Sequence, residues 1–293
     1  MSALGESLRL KGARLSAKDL MALEFAPALG KEFPSLSLAR RPGVTPTRAA
    51  GQGHVIRELR PFAEGDDPRH IDAAASARSG SPQIRGFHED REGNLLLIAD
   101  FRRPMLWGSQ SRLRSLAGAE VLMRMGWQAM QAGGAVGLVT LTNHATEVTR
   151  PRPRHAGLAR IAAHMERAHA EALLSTNPTP DLDAALQEAL RHAPSGALVA
   201  LASGLDQGGR DIAGALASLA KRGPVALLLI EDPIEINPPK GPLPTHSAST
   251  HATRLVDLEP LRRERQSRLE GLRLPNLTAT RINSEEASIG GTP

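Results

Sequence analysis

The chain has 293 residues, enough for one large domain or a domain with an appendage, and its formal charge is +5. It contains no cysteine, which excludes disulfides and thiolate chemistry, and no tyrosine, with only five Phe and two Trp. A protein that stacks bases on aromatic rings would be poorly equipped by this composition. The arginines are also interleaved with acids rather than gathered in one block, so nucleic-acid binding is not the expected role.

The opening stretch, MSALGESLRLKGARLSAKDL, has no uninterrupted apolar core of the kind an export signal needs. No later apolar run approaches the roughly 18 residues of a membrane span. The expectation is a soluble, cytoplasmic protein. An amphipathic helix is predicted from about Ser16 to Leu29, with Ser16 or Asp19 near its start, and the Gly/Pro/Thr-rich RRPGVTPTRAAGQG after it reads as linker. Residues 54–92 are dense in charge and suggest short strands and turns.

From Gly93 onward apolar strands alternate with helical stretches. NLLLIAD is a strand, followed by a helix near 112–132 that stops at Gly133 and Gly134. AVGLVTLT is a second strand, with helices near 155–172 and 181–193 after it. GALVALAS and PVALLLIED are further strands flanking a helix over 210–222. A helix near 260–271 and the strand LTATRI complete the series. This alternation implies right-handed crossovers and a doubly wound, mostly parallel sheet with helices on both faces. The expected organisation is a helix and linker over 1–50, a charged region over 51–92 packed on the main domain, and an α/β domain over 93–293.

In such sheets ligands bind beyond the carboxyl ends of the strands, near the point where strand order reverses. Asp100 ends the most apolar strand and is expected at that edge. A strand-end aspartate serves either as a cap or loop ion pair, or as a metal ligand, phosphoacceptor or nucleophile; the pattern alone leaves these open. Phosphate-binding loops of the G-x-x-x-x-G-K-[ST] type are absent, and GQGHVI carries only two glycines of the dinucleotide fingerprint. Ser203, in LASGLD, lacks the flanking glycine of a nucleophile elbow and reads as a turn serine. His164 and His169, five apart, would face different sides of a helix, and His246 and His251 fall in a Pro/Ser/Thr-rich loop. None suggests zinc.

The stretch RELRPFAEGDDPRHIDAAASAR sets arginines close to acids throughout, which favours a structural network of bidentate ion pairs over paired carboxylates for acid–base work. It also resembles the domain-of-unknown-function 58 family, whose pattern is approximately R-E-Y-x-P-G-D-D-x-R-x-I-D-W-x-x-S-A-R. Arg57, Glu58, Gly65, Asp66, Asp67, Arg69, Ile71, Asp72, Ser76, Ala77 and Arg78 match, whereas Leu59 and Ala73 depart from it. RGFHEDRE and EDPIEINPP look like two further family segments, so the resemblance spans roughly residues 45–245.

That resemblance implies a von Willebrand factor A-like domain associated with a MoxR-type AAA+ ATPase. Domains of that type often hold Mg²⁺ or Mn²⁺ through D-x-S-x-S, a later threonine and a further aspartate. Here Asp100 is kept, Arg102 and Pro104 stand at the serine positions, Gly204 stands at the second aspartate, and Thr179 or Thr176 is left for the threonine. Neither a metal nor another cofactor is therefore expected. Arg102 or Arg103 would instead supply positive charge to Asp100, unless both extend into solvent. The resemblance implies a non-enzymatic adaptor for the ATPase, acting on an unknown protein client, with Phe101, Arg102 and Arg103 as partner-binding candidates. The alternatives are a metal-dependent phosphotransferase or hydrolase using Asp100, and a nucleic-acid binder. The helix near 260–271 is expected to complete the fold.

Overall fold

A computed structural model describes residues 12–27, 29–30, 33, 56–63, 71–87, 94–239, 243–246, 253–256, 274–286 and four positions between 259 and 270. The chain divides into two compact units: residues 1–40 with 93–293, and residues 41–92.

The larger unit is the expected α/β domain. Its strands are β3 (Leu95–Asp100), β4 (Val136–Leu141), β5 (Thr146–Arg152), β6 (Leu198–Ser203), β7 (Val225–Glu231) and β10 (Leu277–Asn283), with β8 (Leu243–His246) and β9 (Thr253–Val256) forming a separate antiparallel pair. The six-stranded sheet runs β10-β7-β6-β3-β4-β5, parallel except for the antiparallel edge strand β5. This is consistent with a von Willebrand A-like fold. β3 lies between β4 and β6, so the strand order reverses on either side of it, and Asp100 ends that strand. The sequence expectation for this edge is met.

The continuous apolar runs of β3, β4, β6 and β7 are buried along their whole length because helices cover both sheet faces. Alternate residues serve opposite cores. Leu95, Leu97 and Ala99 pack with α3 (Arg114–Gln131) and α4 (Arg154–Leu174), whereas Leu96 and Ile98 pack with α5 (Leu182–Leu190) and α6 (Ile212–Arg222). Gly133, at φ 81°, lies just past the end of α3, where a left-handed residue closes a helix cheaply.

The N-terminal helix α1 spans only Ala17–Ala22 and tightens into a 3-10 turn, Leu23–Phe25, shorter than expected. Ser16 is its N-cap. Leu15 and Leu20 enter the core of the larger unit, and Trp127 Nε1 donates to the Leu20 carbonyl, so the described part of the N-terminus belongs to this domain. Residues 259, 263, 266 and 270 are helical, the last three within the predicted segment.

Three elements depart from the sequence expectation. β5 was not predicted, because TEVTRPR is polar and contains Pro151; an edge strand tolerates both, since one side needs no hydrogen-bond partner. The hairpin β8–β9 falls in a stretch that reads as loop, with His246 ending β8. In the smaller unit the antiparallel pair β1 (Ile56–Pro61) and β2 (Gln83–Phe87) is joined by a helix, α2 (Ala73–Ser79), where turns were expected. The alanine run favours helix, and Asp72 starts it by accepting from Ala75 N at 2.9 Å.

Candidate functional site

The chain reaches the carboxyl edge of the sheet through three loops: 101–113 after β3, 175–181 before α5, and 204–211 after β6. At their meeting point Asp100 is 2% exposed and Arg102 is fully buried. Arg102 turns back on the residue two before it, its Nε donating to Oδ1 at 2.9 Å and its Nη2 to Oδ2 at 2.8 Å. Asp100 Oδ1 also accepts from the Arg102 backbone N at 3.1 Å, and Oδ2 from the Ser203 hydroxyl at 2.7 Å. Both carboxylate oxygens thus hold two hydrogen bonds each, which fills their lone-pair directions. Ser203, read from sequence as a turn serine, does both jobs: its Oγ also accepts from Leu205 N at 3.1 Å.

Of the two arginines, only Arg102 meets Asp100. Arg103 is exposed; its backbone N donates to Asn143 Oδ1 at 2.9 Å and its Nη2 to the Ser175 carbonyl at 3.2 Å. Asn143 Nδ2 in turn donates to Thr179 Oγ1 at 3.1 Å, which places Thr179 beside the cleft, while Thr176 is exposed. The partner-binding candidates therefore need correction. Phe101 is 1% exposed and packs edge-on against His169, and Arg102 is spent internally, so neither can face a partner. Phe101 is buried in the core that α3 and α4 share, and Arg102 by the carbonyls of Pro180, Asp206 and Gln207. Arg103 alone of the three reaches the surface.

A second buried guanidinium was missed. Arg114 opens α3, a position where the helix dipole disfavours positive charge. Its Nη1 donates to Asp206 Oδ2 at 2.8 Å and to the Pro104 carbonyl at 3.3 Å, its Nε and Nη2 both donate to the Ile230 carbonyl, and Trp107 stacks on it at 5.4 Å. Burial alone would lower its pKa, but Asp206 and Glu235 outweigh this and hold it above the ordinary value. Nothing in SRLRSLAG marks Arg114 as special. Gly204 shows its effect, since a Cβ there would overlap the Arg114 guanidinium and the Asp206 carboxylate. The EDPIEINPP segment has a structural meaning too. Asp232 caps the short helix α7 (Pro233–Ile236) in a capping box with Glu235, and also accepts from Ser109 N at 2.8 Å.

His164 and His169 are structural. His169 Nε2 pairs with Ser115 Oγ at 2.9 Å in the core, where burial lowers its pKa to about 4. His164 sits between Thr140 and Thr149, its pKa lowered by burial despite Glu147 at 3.1 Å. At the surface, His144, Glu147 and Glu171 bring their ligand atoms within 4.8 Å of one another, but Arg167 already bridges the two glutamates.

Of the motif residues in the smaller unit, Gly65, Asp66, Asp67 and Arg69 lie outside the described residues, and Arg57 and Glu58 fall on β1. Asp72 is the α2 cap; Ser76 Oγ donates to the Asp72 carbonyl at 2.7 Å and accepts from Gln83 N at 2.8 Å, stitching helix to strand. Arg78 is exposed and donates to the Ala74 carbonyl. These described residues build local structure.

Residues 58–270 match the family model described as "Protein of unknown function DUF58", and the chain belongs to that family. No curated protein matches it. Among the described residues no helix is long and apolar enough to cross a membrane.

Proposed function

We propose that this chain is a non-enzymatic protein-interaction module: an adaptor for a MoxR-type AAA+ ATPase, acting in assembly or maturation of a client complex and binding without a bridging metal. The ATPase enters through the family resemblance alone. What supports an interaction role over chemistry is the state of Asp100. A phosphoacceptor, nucleophile or general base needs a lone pair aimed at substrate, and both Asp100 oxygens are engaged by Arg102 and Ser203 under a closed surface.

The positions at which a von Willebrand A-like domain would hold a cation do not fit one here. Arg102 brings its own positive charge to Asp100, Pro104 offers only a carbonyl, already used by Arg114, and Gly204 has no room for a carboxylate. We place the partner contact on the exposed rim above the cleft, at Arg103 and the 176–178 segment, rather than in the cleft itself. An exposed guanidinium suits an acidic surface and salt-sensitive association.

The test is affinity capture of the tagged protein from its native lysate in three arms, with ATP, without nucleotide, and with EDTA in the absence of nucleotide. Recovery of a MoxR-type ATPase in the last two arms alike supports the adaptor. Its absence from every arm, in a lysate shown to contain it, removes the proposal. Recovery that EDTA abolishes without nucleotide present would mean that a metal bridges the contact after all.

A further inference from the structure

The cleft at the strand reversal already holds a ligand, and that ligand belongs to the chain itself. All five N–H groups of the Arg102 guanidinium are taken: Nε and one Nη2 hydrogen by Asp100, the other Nη2 hydrogen by the Asp206 carbonyl at 3.2 Å, and Nη1 by the carbonyls of Pro180 at 2.9 Å and Gln207 at 3.4 Å. Two of the three acceptor segments lie 78 to 105 positions away in sequence, so this one side chain joins loops that nothing local brings together.

We infer that the end of β3 and these two loops form a guanidinium-binding cradle, occupied in cis by Arg102 and selective for a planar guanidinium over a divalent cation. The inference does not depend on the identity of any partner. Three features carry it. First, the acceptors match a fork. One carboxylate meets Nε and Nη2 side by side, and the carbonyls meet the outer edges, a set that a compact ammonium or a spherical ion cannot satisfy together.

Second, the loop that supplies two of the carbonyls is held in a costly shape. Leu205 at φ 58° and Gln207 at φ 49° are left-handed non-glycine residues, and such conformations persist only where surrounding contacts determine them. Here those contacts include the fully buried Leu205 side chain, the Ser203 hydroxyl on its amide, and Arg102 on the next two carbonyls.

Third, Arg114 guards the cleft against the alternative. A divalent ion needs six or more oxygens, with carboxylates among them. The position that would supply the second carboxylate is Gly204, whose side-chain space is filled by the Arg114 guanidinium. With Arg114 fully buried beside it, an incoming divalent ion would also be repelled.

The test empties the cradle and refills it in trans. The Arg102→Gly chain is melted in the presence of methylguanidinium, methylammonium or Mn²⁺, each titrated over roughly 1–20 mM. The expected fall in Tm is about 10 °C, as for a broken buried ion pair in a domain of this size. Methylguanidinium is expected to recover a few degrees of that in a saturable way, with the other two inert and the unaltered protein unmoved by any of them. Recovery by Mn²⁺ in place of methylguanidinium, or by neither, overturns the inference.

If Arg102→Gly does not fold, the unaltered protein gives the answer by NMR with ¹⁵N-labelled arginine. A cradled guanidinium shows a slowly exchanging Arg102 Nε–H and separately resolved Nη protons. Rapid exchange at Arg102 Nε overturns the proposal.

Discussion

Two charged clusters in the larger unit pair arginine with carboxylates and come to opposite ends. At the strand reversal, Arg102 and Arg114 pair with Asp100 and Asp206, and both guanidiniums are wholly removed from solvent. Beside β5, Arg167 pairs with Glu147 at 2.6 Å and Glu171 at 3.4 Å with its side chain half exposed. The surface cluster has the shorter ion pair, but water screens it and competes for every member, so it is worth little. At the buried Asp100–Arg102 pair no water replaces a lost partner, and removing one charge strands the other. Burial, rather than distance, separates a dispensable ion pair from one on which the fold depends.

The sharpest way to break this comparison is to remove one buried charge. Asp100→Asn leaves Arg102 unneutralised and should cost about 3–5 kcal/mol, read as a lowered urea midpoint with unchanged m-value. A loss below about 1 kcal/mol would place Asp100 in the same class as Glu147.

Second, Gly204→Asp adds a carboxylate to the cleft, and should destabilise by about 3 kcal/mol because the new side chain has no space beside Arg114. Mn²⁺ titration followed by electron paramagnetic resonance should show no tight binding to that variant. Tight binding would show that the cleft can be remodelled after all.

Third, His169 extends the comparison to pH. Its folded pKa of about 4 lies below the unfolded value, so the unfolded state takes up the proton first. The contribution is complete above pH 6.5 and is lost as pH falls toward 4, by about 3 kcal/mol at the limit. His164, also lowered by burial, acts with the same sign. The difference in stability between wild type and His169→Asn should shrink from pH 7 to pH 4.5; a constant difference would refute this account.

The smallest effect belongs to the surface. Arg167→Ala should change stability by less than about 1 kcal/mol and lose even that in high salt. A larger cost would mean that the β5 cluster supports the sheet edge more than its exposure suggests.

Much of the fold is legible in the chain. The continuous apolar runs of β3, β4, β6 and β7 and the helical spacing between them give a doubly wound sheet, because parallel strands buried on both faces have to be apolar throughout. What escaped was secondary structure with no continuous apolar run: β5 and β8–β9, whose strands are defined by backbone pairing. The capping box at Asp232 and Glu235 was readable in principle from D-x-x-E alone.

The sequence by itself determined that an aspartate would end the most apolar strand, with Arg102 and Arg103 close behind it. Only the tertiary structure decided which arginine turns inward. Arg102 and Arg103 are neighbours of the same type, but the carbonyls of Pro180, Asp206 and Gln207 accept from the first, whereas the exposed second donates to the Ser175 carbonyl. The same holds for Arg114, whose importance arises from Gly204 and Asp206, both about ninety positions further along the chain. Charge pairing in a protein interior depends on which groups lose their water together, and that is fixed by packing between distant segments rather than by the order of residues along any one of them.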